Sequence, residues 1–137
     1  MRTIATSHAP KPAGHYSQAV VHGGLVHVAG QLPLDPATGA LVEGGVVAQV
    51  ERTFGNLEAI LEAAGSGLDR LVSVTIYVTD VALWPQVNET YARLLGDHRP
   101  ARAVVPVLPL RHGALLEVQA VAAVDPDKVR ASGEHRS

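Results

Sequence analysis

The sequence contains no cysteine, which excludes disulfide frameworks, thiolate metal sites and cysteine nucleophiles. Aromatic residues make up only 4% of the chain, so the core has to be built mainly from valine, alanine and leucine. There is no lysine- and arginine-rich run, and the formal net charge is −2, which argues against a nucleic-acid partner because phosphate binding needs a positive field. The sequence has neither the apolar segment of a signal peptide nor a run of the roughly 18 apolar residues needed to span a membrane. We therefore expect a cytoplasmic protein without a membrane partner.

The composition that is present is typical of one globular domain. Hydrophobic residues make up 47% and charged residues 18%, which is too apolar for a disordered chain. A chain of 137 residues has the size of a single domain and can bury a sizeable core without disulfides. We therefore assign residues 1–137 to one domain, with a polar, frayed tail at 125–137.

Branched or alternating apolar runs predict the strands. Two short runs flank Gly23 and Gly24, a pair that is typical of a hairpin turn. A later run alternates most regularly and places Val72 and Val74 on the same face. The strands located in this way are 19–22, 25–28, 71–79, about 101–108, and 115–124.

Two further segments have helical spacing. Apolar residues recur at steps of three and four through 46–64, beginning at Val47, and Gly65 can end this helix in a left-handed conformation. A second helix is expected after Asp80, which is placed to cap it, with Pro85 in its first turn.

The predicted order of elements is β, β, β, α, β, α, β, β, which has one more strand before the first helix than the five strands located above. This order gives an α+β fold in which two helices cover one face of a mixed β-sheet. The other face has no cover, and its residues on the last two strands are fairly apolar. We therefore expect a homo-oligomer with closed symmetry.

Arg102 is the first candidate for chemistry. It precedes an apolar strand, where a guanidinium is costly to bury unless it meets an anion. Its rigid fork of donors suits a planar carboxylate, which a lysine could not match. The alternative is an ordinary strand-edge arginine that is solvated or paired with an acidic neighbour.

Four other positions can contribute polar groups, and each has an ordinary structural explanation as well. Gly30 ends a buried strand, where a glycine allows a ligand close to the backbone but also serves in plain turns. Tyr16 can offer its hydroxyl to a ligand or be a half-buried aromatic. Glu117 and Gln119 can each hold a water or face solvent.

The seven histidines do not predict a metal site. None of them pair at the helical spacing of a zinc protease, and His22 and His27, which share a face of the predicted hairpin, lack an evident third ligand. The sequence also lacks the motifs of serine hydrolases, P-loop NTPases and dinucleotide enzymes.

Four stretches form a specific combination in their order and spacing. They are Gly14-His15-Tyr16-Ser17-Gln18-Ala19, Val28-Ala29-Gly30-Gln31-Leu32-Pro33, Val87-Asn88-Glu89-Thr90-Tyr91 and Arg99-Pro100-Ala101-Arg102. Together they resemble the Rid family (reactive intermediate deaminases, YjgF type), over about 3–124. The resemblance implies a chorismate-mutase-like fold and a homotrimer whose ligand sites lie in clefts between subunits. It also implies hydrolysis of 2-imino acids, the tautomers of 2-enamino acids, to 2-keto acids and ammonia, without a metal or organic cofactor.

The resemblance assigns roles to individual residues. Arg102 resembles the arginine that grips the substrate carboxylate, and Gly30 the glycine at the floor of the site. Tyr16 resembles the tyrosine that a neighbouring subunit contributes, and Asn88 occupies a motif position near the same cleft. Backbone N–H groups near Gly30 and Val104 are expected to add donors.

The sequence departs from the family pattern at several positions. By the resemblance, Gln119 falls where the deaminases have a glutamate that positions the attacking water. A glutamine can accept a hydrogen bond from water but cannot take its proton. Ala103 and Val104 replace small polar and cysteine residues, and His15 stands where a proline is common. The replacement of glutamate by Gln119 keeps open an alternative, a non-catalytic protein that binds a small keto acid and regulates a partner. RNA cleavage, ascribed to some relatives, is disfavoured by the low basic content.

Overall fold

The structure, a computed structural model, describes residues 1–128, and within that range six strands form one mixed sheet. The strands are β1 (Arg2–Ile4), β2 (Ala19–His22), β3 (Leu25–Gln31), β4 (Leu71–Val78), β5 (Ala101–Pro106) and β6 (Leu116–Ala123). Their order across the sheet is β1-β2-β3-β6-β4-β5, and all neighbours are antiparallel except β4 and β5. Two helices, α1 (Gly45–Ala63) and α2 (Trp84–Leu95), pack on one face, which confirms the predicted α+β fold. The predicted tail at 125–137 lies outside the described residues from position 129 onward.

The face of α1 that meets the sheet is a stripe at helical spacing. Its buried apolar members are Val46, Val50, Phe54, Leu57, Ile60 and Leu61. The prediction that Val47 begins this stripe is wrong, because Val47 is 37% exposed and its neighbour Val46 is buried. With 3.6 residues per turn, it is Val46 that lies one turn before Val50 on the inner side.

The helix boundaries follow the predicted signals in part. α1 ends where Gly65 takes a left-handed φ of 80°, as predicted. Asp80 accepts a hydrogen bond from the Ala82 N–H at 2.9 Å. It therefore caps the 3₁₀ turn Val81–Leu83 and not α2 itself, which corrects the prediction. Pro85 lies in the first turn of α2, where its missing N–H costs no helical hydrogen bond.

The predicted hairpin is present, but in β4 Val72 does not lie on the face predicted for it. Gly23 and Gly24 take φ values of 61° and 78°, which a two-residue hairpin turn of this kind requires. In β4, Val72 is 47% exposed although Leu71 before it is buried. The pairing of β4 with β6 shifts register between Leu71 and Ser73, and this irregularity turns Val72 away from the predicted face.

β6 divides its side chains between the two faces of the sheet. Leu116 and Val118 are buried on the helix side, and Glu117 and Gln119 project from the opposite side. No helix of the described residues covers that opposite side. Within residues 1–128, no helix has the length and apolarity needed to cross a bilayer.

Candidate functional site

Arg102 lies on β5, an edge of the sheet, beside one stripe of α2. Trp84, Asn88 and Tyr91 are four and three residues apart, so they share one side of that helix. The guanidinium carbon of Arg102 lies 4.5 Å from the centroid of the Trp84 ring and 5.0 Å from that of Tyr91. Its Nη1 donates to Asn88 Oδ1 at 2.8 Å. We call these four residues the arginine cluster.

The arginine cluster opens onto a cavity. This cavity has a volume of about 420 Å³, and its lining includes Asn88, Tyr91, His98, Arg99 and Arg102. Within residues 1–128 the ion pairs do not include Arg102, so the alternative in which an acidic neighbour neutralises it is not supported there. Asn88 takes one of its five N–H donors, which leaves a fork for an anion. Burial raises the pKa of the Tyr91 hydroxyl, and the charge of Arg102 opposes that shift.

A second group of predicted residues meets on the other half of the sheet. Gly30 and Tyr16 line one small cavity of about 50 Å³. The Glu117 carboxylate packs on the Gly30 backbone, since a β-carbon at position 30 would overlap Glu117 Oε2 and lie 3.0 Å from its Cδ. Burial raises the pKa of Glu117 above its usual value of 4.5. We call Tyr16, Gly30 and Glu117 the glycine cluster.

The structure distinguishes the two polar residues of β6. Gln119 Oε1 accepts a hydrogen bond from the Tyr77 hydroxyl at 2.9 Å, which occupies one of the two acceptor positions of the oxygen that would hold a water. Glu117 is instead the carboxylate that lies against Gly30. Of the two, Glu117 is therefore the better candidate for the water-positioning role, which the resemblance gave to Gln119. Sequence reasoning missed Glu117 as the stronger candidate, although its alternation with the buried Leu116 and Val118 indicated the right face.

Two further predicted donors have defined positions. Tyr16 is 50% exposed, and its hydroxyl accepts a hydrogen bond from the Ala13 N–H at 3.2 Å. Val104 lies on the edge strand β5, where the Val107 N–H that follows donates to the Val78 carbonyl at 2.8 Å. Because N–H directions alternate along a strand, the N–H of Val104 is directed away from β4. It is a backbone donor at the same edge as Arg102.

The two clusters lie apart in one chain. β3, which carries Gly30, and β5, which carries Arg102, are separated by β6 and β4, or about 14 Å at the usual strand spacing. Arg102 is also in register with the buried Val74 on the helix side, whereas Glu117 points to the opposite side. A small ligand that touches both clusters therefore needs each cluster from a different copy of the chain.

The histidines do not gather into a metal site in the described range. Residues 1–128 contain no group of three or more His, Asp or Glu side chains that could hold a metal ion. His22 and His27 therefore have no third ligand there.

The sequence model of the endoribonuclease L-PSP family matches residues 6–124, a range that contains both clusters. A 2-iminobutanoate/2-iminopropanoate deaminase from the goat, Capra hircus, is 38% identical over 125 residues, which are 91% of each chain. A RutC family protein from Pyrococcus horikoshii is 43% identical over 119 residues, which are 87% of this chain and 94% of that one.

Solved structures are similar over the same range. RidA from the Antarctic bacterium Psychrobacter sp. superposes with a TM-score of 0.87 at 40% identity, covering 90% of this chain and 100% of that one. TdcF from E. coli, solved with bound serine, gives a TM-score of 0.86 at 31% identity and covers 91% of this chain and 100% of that one.

Proposed function

Since the chain belongs to the Rid (YjgF/RutC) family, we propose that it hydrolyses 2-imino acids, the tautomers of 2-enamino acids, to 2-keto acids and ammonia. The observation that carries the proposal is Arg102. Its guanidinium is held by two aromatic rings and an amide oxygen, has no carboxylate partner within residues 1–128, and lies beside a cavity. The name of the goat relative supports the substrate class, because a 2-imino acid carries the planar carboxylate that such a fork fits.

The binding step uses the arginine cluster. Two parallel N–H donors of Arg102 take the substrate carboxylate, and the outward N–H of Val104 adds a backbone donor. Asn88 acts through its hydrogen bond to Arg102, which fixes the plane of the fork. Holding the carboxylate in this way orients C2 of the imine toward the attacking water, and orientation is a large part of what this reaction needs.

The hydrolytic step uses the glycine cluster of a second copy. Glu117, and not Gln119 as the resemblance suggested, accepts a hydrogen bond from one water and takes its proton as the water oxygen bonds to C2. That proton passes to the imine nitrogen, which gives the neutral carbinolamine. The proton of the carbinol hydroxyl then passes to the same nitrogen by way of Glu117, the C2=O bond of the keto acid forms as the C–N bond breaks, and ammonia leaves. Burial raises the pKa of Glu117 and so makes it a stronger base than an exposed glutamate.

Assembly follows from the separation of the two clusters. We propose the homotrimer of a chorismate-mutase-like fold, in which the uncovered sheet faces pack together. Val105 on this face is 36% exposed in the single chain, and contact with a second copy would remove it from water. Arg102 of one protomer and Gly30 of the next then face the same cleft.

The alternative of a non-catalytic keto-acid binder loses the observation that supported it. It rested on the lack of a carboxylate at position 119, and Glu117 supplies one against Gly30. The serine bound to TdcF agrees with small-molecule binding in that relative. The net charge of −2 gives no support to RNA cleavage.

The test uses 2-iminobutanoate made in situ from threonine by a PLP-dependent dehydratase, with semicarbazide trapping the imine that is not hydrolysed. Wild-type protein should lower the yield of semicarbazone, and Arg102→Ala should not. Arg93→Ala is the matched control, since Arg93 is a surface arginine paired with Glu51 at 2.9 Å. Wild-type speed in Arg102→Ala contradicts the proposal, and bound 2-oxobutanoate without turnover supports the binding protein instead.

A further inference from the structure

We propose that Trp84 is a positioning residue, which holds the Arg102 guanidinium in the orientation that receives a carboxylate. The inference rests on the carboxylate-binding role proposed for Arg102. It starts from three contacts made by one stripe of α2: the ring of Trp84 at 4.5 Å, the ring of Tyr91 at 5.0 Å, and the hydrogen bond to Asn88 at 2.8 Å.

The need for such a device follows from where Arg102 lies. It is an exposed residue on an edge strand, and an arginine side chain there has many rotamers to lose when it binds a ligand. Both ring centroids lie inside the range of about 6 Å over which an aromatic face attracts a cation. The two rings and the amide oxygen therefore order the guanidinium before a ligand arrives, and they do so without a negative charge that would compete with the substrate.

Trp84 and Tyr91 differ in what else they support. Tyr91 is 6% exposed and packs edge-on against Phe54, with ring centroids 5.5 Å apart, so it belongs to the core. Trp84 is half-buried at the first turn of α2, where its ring packs at the margin of that core. A substitution of Trp84 therefore removes the contact with Arg102 while the core residues stay in place.

Trp84 is also the one tryptophan of the sequence, so the indole fluorescence comes from this side chain alone and responds to changes at its contact with Arg102. Arg102→Ala removes the cation from the indole face and should change the emission spectrum without any ligand. Adding 2-oxobutanoate to the wild type should change the emission too, because the carboxylate neutralises the guanidinium that faces the ring.

The decisive comparison is among Trp84→Leu, Trp84→Phe and Leu94→Ala, with melting temperature as the check on folding. Trp84→Leu removes the aromatic face, so the affinity for 2-oxobutanoate, measured by calorimetry, should fall about tenfold. KM for 2-iminobutanoate should rise by a similar factor, while kcat changes less than KM. Trp84→Phe should restore most of the affinity. Leu94 is partly buried on the same helix and does not line the Arg102 cavity, so Leu94→Ala should bind as the wild type does.

Each outcome separates this inference from the function on which it rests. If Arg102→Ala loses binding while Trp84→Leu binds normally, or if Trp84→Phe and Trp84→Leu lose affinity equally, the positioning role is overturned and the proposed function survives. If the wild type neither binds nor hydrolyses the probes, both are overturned. Should Trp84→Leu fail to fold, an emission spectrum identical in wild type and Arg102→Ala overturns the inference without it.

Discussion

Gly30→Ala adds one methyl group at the point where the proposed base touches the backbone. A β-carbon there would overlap Glu117 Oε2 and lie 3.0 Å from Cδ and 3.4 Å from Cγ of the same side chain. The three nearest atoms all belong to the end of one flexible side chain, so the backbone can stay where it is. Gly30 is also absent from the positive-φ residues of the described range, and alanine can adopt its conformation.

The expected result is an enzyme that folds but does not turn over. Glu117 must swing away to admit the methyl group, and loss of a positioned general base typically costs about 10²–10⁴ in rate. Alanine at a compatible glycine position stabilises by about 0.4–1 kcal/mol through the unfolded chain, which offsets the displaced contact. We therefore expect a melting temperature close to that of the wild type.

Gly14→Ala is the matched control, because a β-carbon there lies 3.8 Å from the Tyr16 ring and fits without movement. Both variants are compared with the wild type in the semicarbazide competition assay and by thermal unfolding. A Gly30→Ala protein that hydrolyses 2-iminobutanoate at the wild-type rate would refute the role of Glu117. A rate that falls only in proportion to lost folded protein would refute it as well.

Three more substitutions have expected outcomes. Because burial raises the pKa of Glu117, the native state holds the carboxyl proton more tightly than the unfolded chain does, and stability falls as pH rises from 4.5 through the folded pKa. Glu117→Gln has no such proton to lose, so its melting temperature should exceed that of the wild type at pH 7, with a smaller difference at pH 4. This variant should also lose hydrolysis. Tyr91→Phe removes a buried hydroxyl that has no hydrogen-bond partner in residues 1–128, so urea unfolding should show no loss, or a gain of up to about 1 kcal/mol. Gly65→Ala, at φ 80°, should cost about 1–2 kcal/mol by the same measurement. An unshifted melting temperature at pH 7 would contradict the prediction for Glu117→Gln. A clear loss of stability in Tyr91→Phe, or no loss of stability in Gly65→Ala, would contradict the other two.

Periodicity predicted the elements whose contacts are local. The apolar spacing of α1 and the alternation of β6 each follow from one helix or strand face meeting the core, and the structure bears both out except at Val47. Val72 was misplaced because its direction depends on a register shift against a distant strand, which alternation along β4 does not reveal. Asp80 was misplaced by one short turn, since its capping pattern suits a 3₁₀ turn as well as an α-helix.

The sequence predicted the carboxylate-binding residue, for which Arg102 is the single candidate. It did not predict the water-positioning residue, for which Glu117 and Gln119 are both candidates. Arg102 stands out because a charged fork precedes an apolar strand, and its approach to the α2 stripe depends on parallel pairing that only the fold shows. Glu117 and Gln119 share one strand face two positions apart, so their sequence context is nearly the same. They differ in their contacts, because Glu117 lies against Gly30 and Gln119 bonds to Tyr77. Both contacts come from neighbouring strands, which the sequence of β6 alone does not reveal.

Mixing two inactive variants tests most directly the claim that one copy supplies Arg102 and another supplies Glu117. Arg102→Ala and Glu117→Gln chains are unfolded, combined in equal amounts and refolded together. Random association places an intact arginine opposite an intact glutamate in about a quarter of the clefts of a closed ring. We predict that the mixture regains about a quarter of the wild-type hydrolysis of 2-iminobutanoate while each variant alone stays inactive; a mixture as inactive as its components would contradict the account.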